Sequence, residues 1–167
     1  MAQSLSERFF DPLVNNDAVA GPVLLVARIL MSGAFLVFGI GKIIHIARMQ
    51  DYMEAHGVPG DLIPIAIVVQ IGFGLLVVLG YQTRFAAMML AGFCIIATSL
   101  FHTQFSATGE LAHFTKDFSI AGGFLFMIAY GPGPLSLDAR IARARASGRE
   151  RLTGERQKLL ERNARGR

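Results

Sequence analysis

The sequence contains one cysteine and no tryptophan, and only 17% of its 167 residues are charged, whereas 53% are hydrophobic. Soluble domains have about 25% charged residues. The single thiol, Cys94, excludes an intramolecular disulfide, a Cys-x-x-Cys pair and a cysteine-ligated iron–sulfur cluster. Because most apolar residues lie between positions 22 and 131, the composition predicts one integral membrane domain. Redox chemistry in this chain would need a bound cofactor or a partner chain.

The net charge of +4 is unevenly distributed along the chain. Residues 136–167 carry ten basic and four acidic side chains, a net charge of +6, so the rest of the chain has −2. This basic tail is expected to be disordered or to form a surface helix on anionic lipid; basic runs beside a membrane span are usually topology signals, so we do not expect nucleic-acid binding. Positive charge stays on the cytoplasmic side. We therefore predict a multi-pass protein of the bacterial inner membrane with both termini cytoplasmic.

Four apolar segments are each suited to a membrane helix, and turn-forming glycine and proline separate them. They cover residues 22–44, 61–80, 84–103 and 116–131. The fold prediction is an all-α, integral membrane, antiparallel four-helix bundle over residues 22–135. A cytoplasmic or interfacial segment, residues 1–21, precedes it, and the basic tail follows it.

Helical spacing predicts which faces of these segments are buried. In the first segment a stripe of polar, small and aromatic side chains repeats every three or four residues, and it is expected to face the bundle. Its members are Arg28, Ser32, Phe35, Gly39 and Lys42. Small side chains form a similar face on the third segment, which is typical of close helix packing in membranes. The glycine pairs 39/41, 72/74 and 122/123 are interpreted as further packing points.

Two polar clusters are candidate sites. In the predicted topology the outer cluster lies near the outer ends of the helices and comprises Lys42, His45, His102, Lys116 and Asp117. It is interpreted either as a proton-accessible site for a quinone or a small oxyanion, or as a structural ion pair of Lys42 or Lys116 with Asp117 beside interfacial histidines.

The inner cluster consists of Arg28 and Gln70. It either lines a deeper pocket for an anionic or quinone-like headgroup, or contains an arginine that extends to the lipid headgroups beside a glutamine bonded to a neighbouring helix. No histidine pair has the i, i+4 spacing of a helical metal site, so no metal site is predicted. No cofactor other than a quinone is suggested.

Residues 22–138 resemble the DoxX family of small four-helix bacterial membrane proteins. The resemblance depends on the order of several short motifs: Gly39-x-Gly41-Lys42, Gly74-Leu75-Leu76, Leu79-Gly80-Tyr81-Gln82-Thr83-Arg84, Lys116-Asp117, Gly122-Gly123, Gly131-Pro132-Gly133 and Leu135-Ser136-Leu137-Asp138. The family includes a subunit of thiosulfate:quinone oxidoreductase and members of membrane complexes for oxidative and thiol stress. The chain departs from the family pattern at Gln70, where a glutamate is frequent, and at Asp117, where an asparagine is frequent.

The resemblance implies a membrane subunit or accessory of a redox system that handles quinone or small sulfur compounds. It leaves open whether the chain is itself an enzyme; if it is, a quinone-linked oxidoreductase subunit is expected. One alternative is a non-catalytic scaffold that anchors a partner protein. The other is a small-solute carrier, which would need a homo-oligomer because four helices are few for a transport path. The expected partners are the lipid bilayer and a redox protein.

Overall fold

The computed structural model describes residues 17–106 and 108–165, and this part of the chain is helical with no β-strand. Residues 1–16 of the predicted segment 1–21 lie outside the described residues. The α-helices are α1 (Asp17–Ile44), α2 (Ile46–Ala55), α3 (Ile63–Val68), α4 (Gly74–Leu79), α5 (Thr83–Phe101), α6 (Glu110–Tyr130) and α7 (Leu137–Arg165). A 3₁₀ turn over Gly60–Leu62 precedes α3, and a π turn over Val69–Phe73 joins α3 to α4.

Helix α1 buries the stripe that its sequence predicts. Its buried residues are Gly21, Arg28, Ser32, Phe35 and Gly39. Lys42, the last member of the predicted stripe, is half-buried in the final turn. The opposite face carries large apolar side chains that remain exposed, as expected for a helix surrounded by lipid. The prediction that this stripe faces the other helices is therefore confirmed.

The second apolar segment forms one continuous helical rod, Gly60–Leu79, that is widened by the π turn. The sequence pattern does not predict the π turn, because nothing in the residues of this turn distinguishes it from an ordinary helical turn. Gln70 lies in this turn and is buried. A π turn adds one residue to a helical turn and is frequent at functional sites. Here its position brings Gln70 against α1, where a methyl group on Gly39 would lie 3.3 Å from the Cβ of Gln70.

Successive rods run in opposite directions. Arg28, in the first half of α1, lies beside Gly80 just after the rod Gly60–Leu79, whereas Gly39, near the end of α1, lies against Gln70 in the middle of that rod. The Arg84 side chain at the start of α5 reaches the carbonyl of Ala129 at the end of α6, 3.4 Å away. Helix α6 packs along the length of α5, and Phe124 on α6 meets Phe35 on α1 at a ring-centroid distance of 5.5 Å.

Three rods in the described chain are long and apolar enough to cross a membrane: Asp17–Ile44, Gly60–Leu79 and Thr83–Phe101. Helix α6 has 21 residues, but its first two turns contain Glu110, Lys116 and Asp117. The all-α fold is confirmed, whereas the count of four membrane spans stays a prediction.

In each of three glycine pairs, one member is a close packing point and the other is open. A Cβ on Gly39 would lie 2.6 Å from Ile71, one on Gly74 would lie 3.0 Å from Leu36, and one on Gly123 would lie 2.7 Å from Met31. A Cβ on Gly41, Gly72 or Gly122 would have no neighbour within 4 Å among the described residues. The interpretation as packing points is thus confirmed for one glycine of each pair.

Within the basic tail, Leu137–Arg165 form the 29-residue helix α7. Every side chain from residue 142 to residue 163 is exposed. The first turn of α7 is instead held against the bundle through Ser136 and Asp138, which are described below. The described part of the tail is thus helical, and its contact with anionic lipid stays a prediction.

Candidate functional site

The polar residues of the bundle lie mostly at its two ends. The end that contains Gly80, Thr83 and Leu135 is called the tail end here, because α7 begins there. The end that contains Lys42, His102 and His113 is called the histidine end. These names carry no assignment to a side of the membrane.

At the tail end, the Arg28 guanidinium is buried beneath the segment that connects α6 to α7. Its side chain is 1% exposed, and its Nη2 donates a hydrogen bond to the carbonyl of Leu135. Within the described chain, its Nε and Nη1 have no hydrogen-bond partner. Gly80 has φ +70°, and a Cβ there would overlap both the guanidinium and Ser136. Glycine is therefore required at position 80 for its backbone angle and for the space that Arg28 occupies.

Asp138 joins the start of α7 to the start of α5. Its carboxylate accepts hydrogen bonds from the backbone N–H of Gln82 at 2.8 Å, from the backbone N–H of Thr83 at 2.9 Å and from the Thr83 hydroxyl at 2.9 Å. The N–H of Asp138 donates to the carbonyl of Gly80 at 2.8 Å. A carboxylate at a helix N-terminus satisfies N–H groups that lack helical partners and interacts favourably with the helix dipole.

Opposing effects act on the pKa of Asp138. Burial alone would raise it, but the hydrogen bonds from Thr83 and Gln82 and the positive charge of Arg28 outweigh burial and hold the pKa below its usual value. Asp138 is thus the closest acidic counterpart of Arg28 in electrostatic terms, although no direct ion pair joins the two in the described chain.

The structure separates Arg28 from Gln70. Gln70 lies level with Gly39, which is eleven residues beyond Arg28 on α1, or about 16 Å at 1.5 Å per residue. The Arg28 side chain also points away from Gln70, toward Gly80 and Leu135. The two residues of the predicted inner site therefore do not line one pocket. Residues of the α6–α7 connection cover the Arg28 side chain, so it is not exposed at the surface of the bundle.

At the histidine end, the residue that caps the end of α5 and residues of the first turns of α6 form a continuous polar chain. Glu110 Oε2 lies 3.0 Å from Nδ1 of His102, and the rings of His102 and His113 stack at a centroid distance of 5.1 Å. Lys116 Nζ lies 3.5 Å from Nδ1 of His113 and 3.6 Å from a carboxylate oxygen of Asp117. These five residues are called the histidine cluster below.

The histidine cluster differs from the predicted outer site in its members. His102, Lys116 and Asp117 belong to both, but Asp117 pairs with Lys116 rather than with Lys42. Lys42 is half-buried at the same end and has no ion-pair partner within 4 Å among the described residues. His45 is exposed where α1 gives way to α2, and its ring belongs to none of the described aromatic or polar contacts.

Helix α2 extends the histidine end with aromatic side chains. The ring of Tyr52 lies 5.6 Å from that of Phe101 and 4.4 Å from that of His56. Burial and the nearby charge of Glu110 raise the pKa of the Tyr52 hydroxyl. Tyr52 therefore lies close enough to the histidine cluster for the charge of Glu110 to affect its pKa.

Sequence reasoning did not include Glu110, His113, Tyr52 or Asp138 among the candidate residues. The spacing Glu110–His113–Lys116 is a signal that was available, since i, i+3 positions meet on one helix face. The placement of Tyr52 and Asp138 depends on contacts between distant segments, which no local pattern contains. Within the described residues, no group of three or more histidine, cysteine, aspartate or glutamate side chains is arranged to hold a metal ion.

Long apolar helices with small residues at their contacts define the chain as a helical membrane protein. The chain belongs to the DoxX family, whose sequence profile, described as DoxX, matches residues 23–103. It is 44% identical to the inner membrane protein YqjF of Escherichia coli K12 over 115 residues, which cover 69% of this chain and 88% of that protein. It is 33% identical to the inner membrane protein YphA of the same organism over 141 residues, or 80% of this chain and 97% of YphA. No solved structure matches the chain.

Proposed function

We propose that the protein is the membrane subunit or accessory of a redox system that handles a quinone or small sulfur compounds, and that the histidine cluster binds the quinone headgroup. The observation that carries this proposal is the connected set Glu110–His102–His113–Lys116–Asp117. The side chains of His102 and Glu110 are 22% and 23% exposed, so they are shielded and still reachable. Membership of the DoxX family supports the same proposal.

The chemistry of quinones suits such a cluster. A quinone carbonyl accepts hydrogen bonds, which Lys116 and a protonated histidine donate. Reduction of a quinone to a quinol takes up two electrons and two protons. A partner protein that oxidises the sulfur compound supplies the electrons, and the carboxylate–imidazole pair of Glu110 and His102 carries protons from water to the quinone oxygens.

The proposed location is the bacterial inner membrane, with the tail end in the cytoplasm and the histidine end on the opposite side. The net charge of +6 over residues 136–167 supports this orientation, because basic segments beside a membrane span stay cytoplasmic. The two E. coli relatives are named inner membrane proteins, which supports the same membrane. A periplasm-active reporter fused after residue 167 is expected to be inactive, and an active one would reverse the orientation.

Titration of the purified protein in lipid nanodiscs with ubiquinone-1 tests the site. Wild-type protein is expected to bind the quinone in calorimetry, and His102→Asn and Lys116→Met each lower the affinity about tenfold, the effect of one lost charge-assisted hydrogen bond. Arg48→Gln is the matched control, because Arg48 is exposed on α2 and has no ion pair in the described chain. Absence of binding by the wild type, or equal affinity in all four proteins, would contradict the proposal.

A scaffold function is the second candidate, and the exposed helix α7 favours it. A helix of 29 residues with an entirely exposed stretch from 142 to 163 presents a large charged surface to a soluble partner. Deletion of residues 144–167 leaves Asp138 and the bundle intact. Loss of a co-purifying protein on this deletion, with unchanged ubiquinone-1 binding, would establish the scaffold function as separate from the histidine cluster.

A further inference from the structure

A groove at the tail end is lined by apolar side chains of the bundle and by two arginines of α7. It has a volume of about 460 Å³, within the range of about 300–1,000 Å³ that is typical of small-molecule sites. Its apolar lining includes Leu25 on α1 and Val78 and Leu79 at the end of α4, and these three residues are called the floor below. Its basic lining consists of Arg140 and Arg143 on the first turns of α7, and these two residues are called the mouth below.

The floor of the groove belongs to rods that are suited to cross the membrane. Leu25 lies in Asp17–Ile44, and Val78 and Leu79 close Gly60–Leu79. Leu79 is 54% exposed, and Leu135, which also lines the groove, is 51% exposed. Apolar side chains exposed near the end of a membrane helix meet acyl chains and the glycerol region of the lipid. The occupant of this groove must therefore be apolar at one end.

The two arginines are unneutralised in the described part of the chain. Arg143 donates from Nη2 to the carbonyl of Pro134 at 2.5 Å and from Nε to that of Ala139 at 3.3 Å, which fixes its guanidinium at the groove. Neither Arg140 nor Arg143 has an ion-pair partner within 4 Å there. Since they are three residues apart, both lie on one face of α7. The mouth of the groove is therefore suited to a phosphate group.

A neighbouring groove of about 550 Å³ makes a useful contrast. It is also lined by α7 and the α6–α7 connection, but its lining contains the carboxylate of Asp138 beside the guanidinium of Arg84. A carboxylate whose pKa is lowered stays negatively charged and repels a phosphate. The neighbouring groove thus has one charge of each sign, whereas the lining of the groove at Arg140 and Arg143 contains two cations and no acidic residue.

From these observations we propose that this groove is a binding site for an anionic phospholipid. The phosphodiester contacts Arg140 and Arg143, and the start of an acyl chain lies on Leu25, Val78 and Leu79. A free phosphate would leave the apolar floor uncovered, and a zwitterionic headgroup would bring a second cation toward the two arginines. The site narrows the expected lipid contact of the basic tail to one groove. It is independent of the proposed quinone chemistry.

Native mass spectrometry of the full chain tests the site. The protein is equilibrated in vesicles of phosphatidylglycerol and phosphatidylethanolamine, and the enrichment of phosphatidylglycerol on the extracted protein is measured. Wild-type protein is expected to retain phosphatidylglycerol selectively. The double variant Arg140→Gln, Arg143→Gln is expected to lower this enrichment about thirtyfold, because each basic residue near an anionic surface contributes about 1 kcal/mol.

The control variant removes the same charge from the exposed part of α7. Arg151→Gln with Arg156→Gln is expected to stay within about twofold of the wild type, since both residues are exposed and neither lines the groove. An equal loss of enrichment in the control would overturn the groove in favour of diffuse attraction by the whole tail. An absence of selectivity in the wild type would overturn it as well.

Two further measurements distinguish a bound phospholipid from a bound free anion. Val78→Phe keeps both arginines but fills the floor, and it is expected to reduce the enrichment of phosphatidylglycerol; wild-type enrichment in this variant would contradict an acyl contact. Added inorganic phosphate is expected to leave the lipid bound, and displacement would identify a site for phosphate alone.

If the double variant does not fold, as judged by thermal unfolding in detergent, the single variant Arg140→Gln tests the groove instead, because the Arg140 side chain has no hydrogen-bond partner in the described chain.

Discussion

Thr83 and Asp138 lie 55 positions apart in the sequence and are joined by two hydrogen bonds of 2.9 Å, one from the Thr83 N–H and one from its hydroxyl. This contact attaches the start of α7 to the start of α5. Together with the hydrogen bond from Arg28 to the Leu135 carbonyl, it closes the tail end of the bundle. The motifs around Gly80 and around Asp138, which are distant in sequence, are therefore parts of one structural unit.

Removal of the Asp138 carboxylate is expected to destabilise the protein. Asp138→Ala leaves the N–H groups of Gln82 and Thr83 without an acceptor, which costs about 1–3 kcal/mol of the free energy of unfolding. Asp51→Asn, on an exposed position of α2, is the control and is expected to have no effect. The measurement is thermal unfolding in detergent at neutral pH, and equal stability of Asp138→Ala and the wild type would contradict this account of the cap.

The lowered pKa of Asp138 predicts that the stability of the protein falls at acidic pH. Because the pKa of Asp138 is lower in the folded protein than its usual value of about 3.9, its contribution is fully present above that value. The contribution is lost as the pH falls through the lowered folded pKa. The difference in stability between wild type and Asp138→Ala is therefore expected to shrink below about pH 4. A difference that stays constant down to lower pH would show that the carboxylate charge is not involved.

Alanine substitutions at Gly80 and Gly57 distinguish the cost of backbone strain from the cost of steric overlap. Both have positive φ, +70° and +75°, but a Cβ on Gly80 would overlap Arg28 and Ser136, whereas one on Gly57 would have no neighbour within 4 Å among the described residues. Gly57→Ala is expected to cost about 1–2 kcal/mol, the strain of the left-handed conformation. Gly80→Ala is expected to cost distinctly more in the same unfolding assay. Equal losses would mean that Arg28 can move away without cost.

The pair Gly39 and Gly41 provides a second matched comparison. A Cβ on Gly39 would be 2.6 Å from the Cγ1 of Ile71, whereas one on Gly41 would meet nothing within 4 Å in the described chain. Gly39→Ala is expected to force α1 and the π turn apart and to cost about 1–3 kcal/mol. Gly41→Ala is expected to be neutral or stabilising by up to about 1 kcal/mol, because alanine favours the helix. The reverse order of unfolding temperatures would contradict the packing described here.

Cys94 is expected to resist modification in the folded protein. It is 4% exposed and packs in the core with Phe35 and Phe124. A maleimide reagent should label it only after denaturation in dodecyl sulfate, because access and the thiolate form are both required. A control protein with Cys94→Ala and Ser147→Cys, which places the thiol on the exposed part of α7, should label at once. Rapid labelling of native wild-type protein would show that the α1–α5–α6 core opens.

Periodicity in the sequence predicted which faces are buried, because a helix places every third or fourth side chain on the same side. For α1 the predicted stripe contains four of the five residues that the structure buries, and Gly21 was the exception. On α5 the predicted face of small residues is likewise buried, including Ala87, Ala91 and Thr98. These agreements need only local geometry and the composition of each segment.

Depth along a helix was predicted less well than the buried face. One interpretation of Arg28 and Gln70 placed them in a shared pocket, and the other directed the arginine to the lipid headgroups. The structure instead places Arg28 beneath Leu135, since the connection after α6 folds back over the end of the bundle. The rotamer of a long side chain depends on what covers it, and the covering segment here lies 107 residues away in the sequence.

The sequence by itself determined the helical membrane character, the buried stripes and the DoxX resemblance, because hydropathy and helical periodicity are local properties of the chain. Only the tertiary structure decided that Asp138 caps α5 and that His102 joins Glu110 and His113. Each of these contacts depends on the relative position of two segments, and that position follows from packing at glycines such as Gly80. A short polar side chain forms its hydrogen bonds only where the backbone has already brought the partners within about 3 Å.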